Sequence, residues 1–536
     1  MGRSLAFVTA LTLCSLSAQS AHGQAHFRRG DVNRDLAIDL SDGIGTLTYL
    51  FLGGTTPPCL DAADFDDDGD LNIGDAVSTF NFLFLGGNNP KEPYNHIDAD
   101  PSADTLDCLG APVVVTGDIT ADTTWSRDKS YLLKGGVFVR APATLTIQPG
   151  TTIFGEKATT GVLVIDRGAK IKAVGSADDP IIFTSDQPVG SRARKDWGGV
   201  VVLGRGETNN VDAQGVSTNE GIVEGFAAEI EYGGGVSADN NESSGQIKYV
   251  RIEYCGIAIA PNSEVNGLSL YAVGAGTEID HVMVKYSSDD CLEFFGGAAH
   301  VKHILCVGIA DDNFDYSFSW RGKAQFIMVQ QHDDEADKGF EVDNHETAFG
   351  NLPLTNPLIS NFTLIGNPTS TADLTKSAAG MNIRRGAASR IYNGIVQGFR
   401  VVGLDIDDAA TTAHSPEAGD LVLDYTIFSQ NGSDGTKHFI TGETGTSEES
   451  VANGFAYTTV DFGRTKNPNN TETTNSQCVD PYNLENPNFR PQNEALTPGK
   501  DPQSLDSFFE PAAYRGAVAP TGDDWTQKPW ISYLRK

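Results

Sequence analysis

The feature that most constrains the fold is a pattern of short β-branched segments that recurs every 22 to 26 residues. Each segment is three to five residues long, and turns recur too often for a parallel α/β fold. The spacing fits one coil of a right-handed parallel β-helix, whose stacked strands bury an aliphatic ladder. It predicts that Val284 and Cys306 take the same inward position on successive coils. The three clearest copies are 279–286, 301–308 and 325–329.

Composition supports a turn-rich β protein. The 536 residues include 58 glycines and only 4 methionines, and glycine is favoured in turns while methionine favours helices. A β-propeller would need about 40 to 50 residues per blade, whereas an array of β-sandwiches remains the alternative. We therefore predict a mainly β chain with a β-helix over 111–487.

The C-terminal segment 488–536 lacks the coil pattern but is rich in aromatic residues. An open solenoid end exposes unpaired strand edges and needs a cap. We predict that this tail folds back over the end of the β-helix. Its aromatic residues are Phe508, Phe509, Tyr514, Trp525 and Trp530.

The N-terminus predicts export. Arg3 precedes an apolar run from Leu5 to Leu16, and a small-x-small site ends at Gly23, so residues 1–23 are interpreted as a signal peptide. An uncleaved N-terminal anchor is the alternative. No later stretch reaches the about 18 apolar residues of a membrane span, and a net charge of −33 disfavours nucleic acid. We expect a secreted or cell-surface protein.

Residues 24–110 contain two acidic loops with a period of 33 residues. Oxygen-bearing side chains recur at loop positions 1, 3, 5, 9 and 12, a spacing that wraps them around one Ca²⁺ ion. Gly69 supplies the sharp turn at position 6 of the second loop, where the first has Leu36, and position 7 (Ala37 or Asp70) offers its backbone carbonyl. The predicted metal residues are Asp31, Asn33, Asp35, Asp39, Asp42, Asp64, Asp66, Asp68, Asp70, Asn72 and Asp75.

A helical pattern follows each loop and ends at a Gly-Gly pair, Gly53-Gly54 and Gly86-Gly87. Cys59 and Cys108 both belong to this module, and a bridge between them is plausible in an oxidising compartment. The pairing of the other cysteines stays open.

With these loops and helices, the region resembles a dockerin-like module, a pair of loop–helix repeats related to the EF-hand. The resemblance implies Ca²⁺ as cofactor and a cohesin-like protein as partner. The later region is similar to exported bacterial β-helix proteins of the pectate-lyase-like superfamily. The segments that carry this similarity are 131–139, 196–204, 288–297, 514–518 and 524–526.

Acidic pairs follow two of the central strands, and stacking of the coils would bring them together. Asp289, Asp290, Asp311 and Asp312 are the candidate catalytic residues, since two carboxylates across a sugar can act as acid and base. Ser288-Asp-Asp-Cys291 is similar to the Gly-Asp-Asp-Cys segment of polygalacturonases, although the rest of that pattern is missing. The alternative is a structural turn, with backbone hydrogen bonds or a divalent ion balancing the charge.

Few cations or histidines lie near these acids in the sequence. Lys285 and Lys302 are the closest cations; the cluster Arg384, Arg385 and Arg390 either pairs with the protein's own acids or binds anionic sugars. The ten histidines show no metal-ligand spacing, and His300 and His303 are interpreted as surface residues.

These observations predict an exported calcium-binding protein that displays a β-helix for surface, matrix or polysaccharide binding. A polysaccharide hydrolase or lyase on the same fold is the alternative. Nucleophile elbows, zinc-protease motifs and nucleotide-binding loops are absent from the sequence.

Overall fold

The computed structural model describes residues 26–534 except 36, 103, 105, 107, 109–110, 213, 224–229, 261–262, 370–376 and 442–453. The predicted signal peptide and Leu36 lie outside the described residues. Helices α1 and α2 are 13 residues each, and within the described part of the chain no helix has the length and apolar character to cross a membrane.

Each N-terminal helix follows an acidic loop, as predicted. Helix α1 spans Leu40–Leu52 and α2 spans Ile73–Leu85. Both begin with a capping box, in which the side chain at the N-cap and the carboxylate three residues later satisfy each other's backbone N–H groups. Both end at a glycine with left-handed backbone, Gly53 and Gly86. A disulfide joins Cys59 to Cys108.

The rest of the chain is dominated by short strands. Two short helices, α3 (Ala409–Thr412) and α4 (Thr459–Asp461), lie among the last coils. The strands are β1 Val113–Ile119, β2 Thr123–Trp125, β3 Tyr131–Val139, β4 Thr144–Ile147, β5 Thr152–Gly155, β6 Val162–Ile165, β7 Lys170–Val174, β8 Ile181–Ser185, β9 Val200–Leu203, β10 Glu220–Ile222, β11 Glu231–Gly233, β12 Gly245–Glu253, β13 Ile257–Ala260, β14 Ser263–Val265, β15 Leu268–Tyr271, β16 Glu278–Lys285, β17 Leu292–Phe295, β18 His300–Val307, β19 Phe314–Ser317, β20 Lys323–Gln330, β21 Phe340–Val342, β22 Leu358–Ile365, β23 Ala379–Ile383, β24 Ser389–Gln397, β25 Val402–Ile406, β26 Leu421–Asp424, β27 Ile427–Ser429, β28 Thr471–Thr473, β29 Cys478–Asp480 and β30 Asn488–Pro491.

Twenty-four of these strands pair in parallel, coil upon coil. Three faces result. Six long strands contribute to both sheet 1 and sheet 2: β12, β16, β18, β20, β22 and β24. Sheet 1 contains β2, β4, β7 and the first parts of these long strands. Sheet 2 contains β5, β8, the second parts of those long strands, β27 and β28. Sheet 3 contains β6, β9, β15, β17, β19, β21, β23 and β25. This arrangement is that of a parallel β-helix.

One residue per coil turns the chain from sheet 1 to sheet 2. At this position the backbone is left-handed, with φ between 49° and 63°, and the inter-strand register skips that residue. Because the same position recurs, the side chains stack. We call this set the corner column: Tyr249, His281, His303, Phe326, Asn361, Asn393 and Tyr425.

The interior of the coil stack is aliphatic and aromatic. Val284 pairs with Cys306, and both are buried in the main core, which confirms the predicted inward ladder. Cys306 also forms a disulfide with Cys291, a pairing that spacing alone did not reveal. At the C-terminal end Tyr457 and Phe462 join this core.

The tail lies along the side of the coil stack rather than over its end, which corrects the predicted location. The outward positions of sheet 2 are unusually apolar, including Met283, Leu305 and Met328, and the tail residues Val518 and Trp530 bury them. The physical reason is the large apolar area on the outer face of sheet 2. This face would otherwise be exposed along several coils, and its burial favours a lateral position of the tail.

The N-terminal module also packs against sheet 2. Arg251 donates to the carbonyl oxygen of Ile97 at 2.7 Å and pairs with Glu253 at 3.0 Å. Asp98 lies 3.8 Å from Arg251 and accepts a hydrogen bond from Ser532 of the tail. Module, β-helix and tail therefore meet at one buried charged contact, which we call the three-way contact.

Candidate functional site

A cleft of about 200 Å³ lies on the outer surface of sheet 3. Acidic side chains dominate its wall, since nine of the thirteen lining residues are Asp or Glu. The cleft brings together all four candidate residues from the sequence, Asp289, Asp290, Asp311 and Asp312. The other lining residues are Glu293, Phe295, Asp315, Ser317, Phe318, Glu341, Asp343, Glu346 and Arg385.

The floor of the cleft is a column of outward side chains on three neighbouring strands. Glu293 of β17 is in register with Asp315 of β19, and Asp315 is in register with Glu341 of β21. Their inward neighbours Phe314 and Phe340 are fully buried, so strand alternation fixes the acids on the outer face. Adjacent parallel strands lie about 4.8 Å apart, which brings three carboxyl groups close together.

A second column forms the turn that leads into these strands. The backbone N–H of Asp290 donates to Asn266 Oδ1 at 3.1 Å, and that of Asp312 donates to Asp290 Oδ1 at 3.0 Å. The Lys338 N–H donates to Asp312 Oδ1 at 2.7 Å. Each side chain thus binds the backbone of the next coil. This ladder is the backbone hydrogen bonding that the structural-turn alternative anticipated.

Three cations balance part of the negative charge. Lys338 Nζ lies 2.9 Å from Glu341 and 3.5 Å from Asp312. Arg384 contacts Glu341 at 2.7 Å and Asp343 at 2.8 Å, and Arg385 contacts Asp343 at 2.6 Å. Arg384 and Arg385 therefore pair with the protein's own acids, which confirms one of the two interpretations.

The other basic residues singled out in the sequence lie elsewhere. Lys285 approaches Glu253 at 3.5 Å, and Lys302 pairs with Glu510 of the tail at 2.9 Å. Arg390 donates to Asn356 Oδ1 at 3.2 Å. Lys285 and Lys302, the closest cations in the sequence, therefore pair with acids outside the cleft, because Lys285 lies on sheet 2 and Lys302 on sheet 1.

The acids of the cleft fall into two electrostatic groups. Burial raises the pKa of Asp290, Asp312 and Asp315 well above the ordinary value, and neighbouring carboxylates add to the effect. Burial opposes ionisation of Glu341 too, but Lys338 and Arg384 outweigh it and hold the pKa of Glu341 below its ordinary value. Asp315 Oδ1 is also buried without a hydrogen-bond partner among the described residues. Carboxyl groups with raised and with lowered pKa values thus lie side by side.

Aromatic rings form one end of the cleft. Phe295 stacks on Tyr271 with 4.0 Å between ring centroids, and Phe318 lies 6.2 Å from Phe295. Both phenylalanines line the cleft. An apolar ring surface beside several hydrogen-bonding acids can contact the C–H face of a sugar while the acids bind its hydroxyl groups.

The acidic loops of the N-terminal module form a separate candidate metal centre. In the second loop, carboxylate oxygens of Asp64, Asp66 and Asp75 lie within 4.8 Å of one another. Asp64 and Asp75 are almost fully buried, and burial raises the pKa of Asp75 to about 6. A cation there would offset the cost of burying these charges, so the cluster could hold a metal.

The two loops agree in backbone detail. Arg34 and Asp67, both at position 4, have φ of 58° and 57°. The position-12 carboxylates act alike: Asp42 accepts from the Val32 N–H at 2.7 Å, and Asp75 accepts from the Phe65 N–H at 2.9 Å. Gly69 has φ of 80°, as a sharp turn requires. All eleven predicted ligand residues lie in these two loops.

Glu293, Asp315, Glu341 and Asp343 were missed as site residues. The signal for the first three was present, because acids recur at the same strand position, 22 and then 26 residues apart. Asp343 was harder to find, since its role depends on Arg384 and Arg385, which follow after a long insertion.

The comparisons with known proteins agree with the coil stack. The family described as pectate-lyase like beta helix domain matches residues 117–477, more than half of the chain. Neither the curated proteins nor the solved structures contain a match.

Proposed function

The chain belongs to the pectate-lyase-like β-helix family, and from this premise we propose that it is an exported calcium-binding protein whose cleft on sheet 3 binds carbohydrate. The observation that carries the proposal is the cleft itself. It combines a stacked column of outward acids, Glu293, Asp315 and Glu341, with an aromatic end at Phe295 and Phe318.

The charge of the cleft favours neutral or cationic sugars. The nine lining acids face three cations, Lys338, Arg384 and Arg385, so acidic groups outnumber basic groups at the cleft. An excess of negative charge repels polymers of uronic acids. Protonated amino groups of an amino-sugar polymer would instead be attracted, and neutral sugars would bind through hydroxyl groups.

Calcium is proposed for the two acidic loops. Their ligands are carboxylate and amide oxygens, the donor type that Ca²⁺ prefers over softer ions. Bound calcium would neutralise the buried charge of Asp64 and Asp75 and fix the orientation of the following helices.

Attachment to another protein is proposed for α1 and α2. Large apolar side chains on both helices are exposed, and they repeat at the same 33-residue spacing as the loops: Leu40 and Ile73, Ile44 and Val77, Phe51 and Phe84, Leu52 and Leu85. Exposed apolar patches of this kind mark interaction sites. They suit a dockerin-like module and a cohesin-like partner.

Replacing Leu52 and Leu85 together with Ser should abolish binding to a recombinant cohesin panel. Unchanged binding would contradict the attachment role of the two helices.

Glycan titrations test the proposed cleft. Oligomers of chitosan, of a neutral polysaccharide and of polygalacturonate are titrated into the whole chain at low salt, and binding is measured by calorimetry. The cationic oligomer should bind most tightly and polygalacturonate should not bind. Phe318→Ala and Glu293→Gln should each weaken binding about tenfold, the effect of losing roughly 1.4 kcal/mol. Asp405→Asn is the matched control, since Asp405 lies on sheet 3 beyond the cleft. Equal affinity for polygalacturonate would contradict the proposal.

Glycoside hydrolysis is a second candidate, favoured by the opposite pKa shifts of two neighbouring carboxyl groups in the cleft. A protonated Asp315 could donate to the leaving oxygen, while the ionised Glu341 on the adjacent strand could act as nucleophile or base. Release of reducing ends from the bound glycan, lost in both Asp315→Asn and Glu341→Gln but retained in Asp405→Asn, would establish the activity. Tight binding without product would assign the cleft to recognition alone.

A further inference from the structure

A different set of side chains converges at the corner column, far from the cleft on sheet 3. His281 and His303 take the corner position on successive coils, with φ of 55° and 49°. Their rings stack with 4.1 Å between centroids and 22° between planes. The shared backbone conformation therefore aims both imidazoles in the same direction.

Asp280 contacts both rings through one oxygen. Its Oδ1 lies 2.8 Å from His303 Nδ1 and 2.8 Å from His281 Nδ1. The contact to His303 has the geometry of a hydrogen bond. The contact to His281 does not, because His281 Nδ1 is buried and has no hydrogen-bond partner in the described part of the chain. Two imidazole nitrogens thus approach one carboxylate oxygen, and one of them has no hydrogen-bond partner among the described residues.

The donor set differs in kind from that of the acidic loops. Two imidazole nitrogens and one carboxylate oxygen, all within 4.8 Å of one another, suit borderline transition ions such as Zn²⁺, whereas oxygen-only loops suit Ca²⁺. Three protein ligands leave a position for water or another ligand. The side chains of Asp280, His281 and His303 are 23%, 17% and 12% exposed, so solvent reaches the cluster.

The surroundings hold both rings in place. Tyr249 stacks on His281 at 4.3 Å, and two tail tryptophans pack edge-on, Trp530 against His281 at 5.6 Å and Trp525 against His303 at 5.2 Å. Tail and corner column are thus in direct contact at this cluster. The two tryptophans also provide an optical reporter within contact distance.

We propose that Asp280, His281 and His303 form a second metal site, specific for a Zn²⁺-class ion and located where the C-terminal tail packs on the coil stack. An ion there would join two successive coils beneath the tail. The site is independent of the cleft and of the calcium loops.

The test uses the whole chain with its acidic loops saturated by Ca²⁺. Zn²⁺ titrated by calorimetry should bind at one site, and Cu²⁺ should quench tryptophan fluorescence with the same stoichiometry. His281→Asn, His303→Asn and Asp280→Asn should each lower Zn²⁺ affinity more than about tenfold, the loss that removal of even an outer-shell partner causes. Asparagine suits the two histidine positions because Asn361 and Asn393 take the same corner position with φ of 58° and 63°.

A matched control and a spectroscopic measurement complete the test. His300→Asn changes a histidine on the same strand, β18, that contacts the tail through Phe508 at 5.0 Å, and it should leave Zn²⁺ binding unchanged. Should the three variants fail to fold, the electron paramagnetic resonance spectrum of Cu²⁺ bound to the unaltered protein decides: nitrogen coupling supports the site. An oxygen-only spectrum, or Zn²⁺ binding that the folded variants retain, would overturn the proposal.

Discussion

At the residue scale, the column of turn residues Asn266, Asp290 and Asp312 shows how buried acids are tolerated. Asn266 does on one coil what Asp290 does on the next, because each oxygen accepts a backbone N–H from the following coil. The difference is charge. Asp290 carries a carboxyl group whose pKa is raised by burial and by Asp289 and Glu293, whereas an amide carries no such cost.

Asp290→Asn should therefore stabilise the protein at neutral pH. Because the pKa of Asp290 is higher in the folded state, stability falls as pH rises from the ordinary Asp range through that raised pKa. The amide removes this loss, so we expect Asp290→Asn to be more stable than the unaltered protein at pH 7, with no gain near pH 4. Denaturant unfolding of both proteins across this range measures it. A variant destabilised equally at every pH would show that the carboxylate itself holds the turn; Asp405→Asn is the control.

At the element scale, each acidic loop and its helix act as one unit. The same carboxylate, Asp42 or Asp75, closes the loop and caps the helix. Metal binding and helix formation should consequently be coupled, since the loop positions a helix start.

Calcium titrated into chelated protein should increase helical circular dichroism, and Asp31→Ala with Asp64→Ala should abolish the change. Asp70→Ala is the matched control, because position 7 is predicted to use its backbone carbonyl.

The Ca²⁺ affinity of the loops should fall as pH drops through about 6, where Asp75 takes up a proton, since a protonated carboxyl no longer binds the ion. Calorimetry at several pH values measures the Ca²⁺ affinity. Binding that does not depend on pH would contradict the role of Asp75, and binding that survives in the double variant would contradict the assigned ligands.

At the scale of the whole molecule, module and tail are both joined to sheet 2. The three-way contact buries Arg251, Glu253 and Asp98. Burial alone would raise the acids' pKa values, but Arg251 and Lys285 hold the pKa of both Asp98 and Glu253 below the ordinary range. The ionised forms are therefore the stable ones, and their contribution is lost as pH falls through these lowered values.

Arg251→Met should detach the module. Removing Arg251 takes away one of the two cations that hold these buried carboxylates ionised, at a cost of about 3 kcal/mol. Limited proteolysis should then release the region 24–110 faster than from the unaltered protein, and denaturant unfolding should show the loss of stability. Arg140→Met is the control, because Arg140 pairs with Asp118 and Asp166 on the surface, where such pairs contribute little. Equal changes in both variants would contradict a specific role for the contact.

How much of the structure the sequence predicts differs between parts of the molecule. The coil register and the loop–helix units could be predicted because each is a short periodic signal, as with Val284 and Cys306. The lateral position of the tail could not, because it depends on contacts such as Asn361 with Ala512, 151 residues apart and without a period. The cations of the cleft were hidden for a similar reason: Glu341 and its register partner Asn382 are separated by an insertion that breaks the coil spacing.

The proposed function rests on the binding of sugars in the acid-lined cleft of sheet 3. A crystal structure of the whole chain soaked with a chitosan oligomer tests it most directly. A sugar ring should lie against Phe318, with its polar groups within hydrogen-bond distance of Glu293 or Asp315. Ordered sugar on sheet 1 or sheet 2 beside an empty cleft would contradict it.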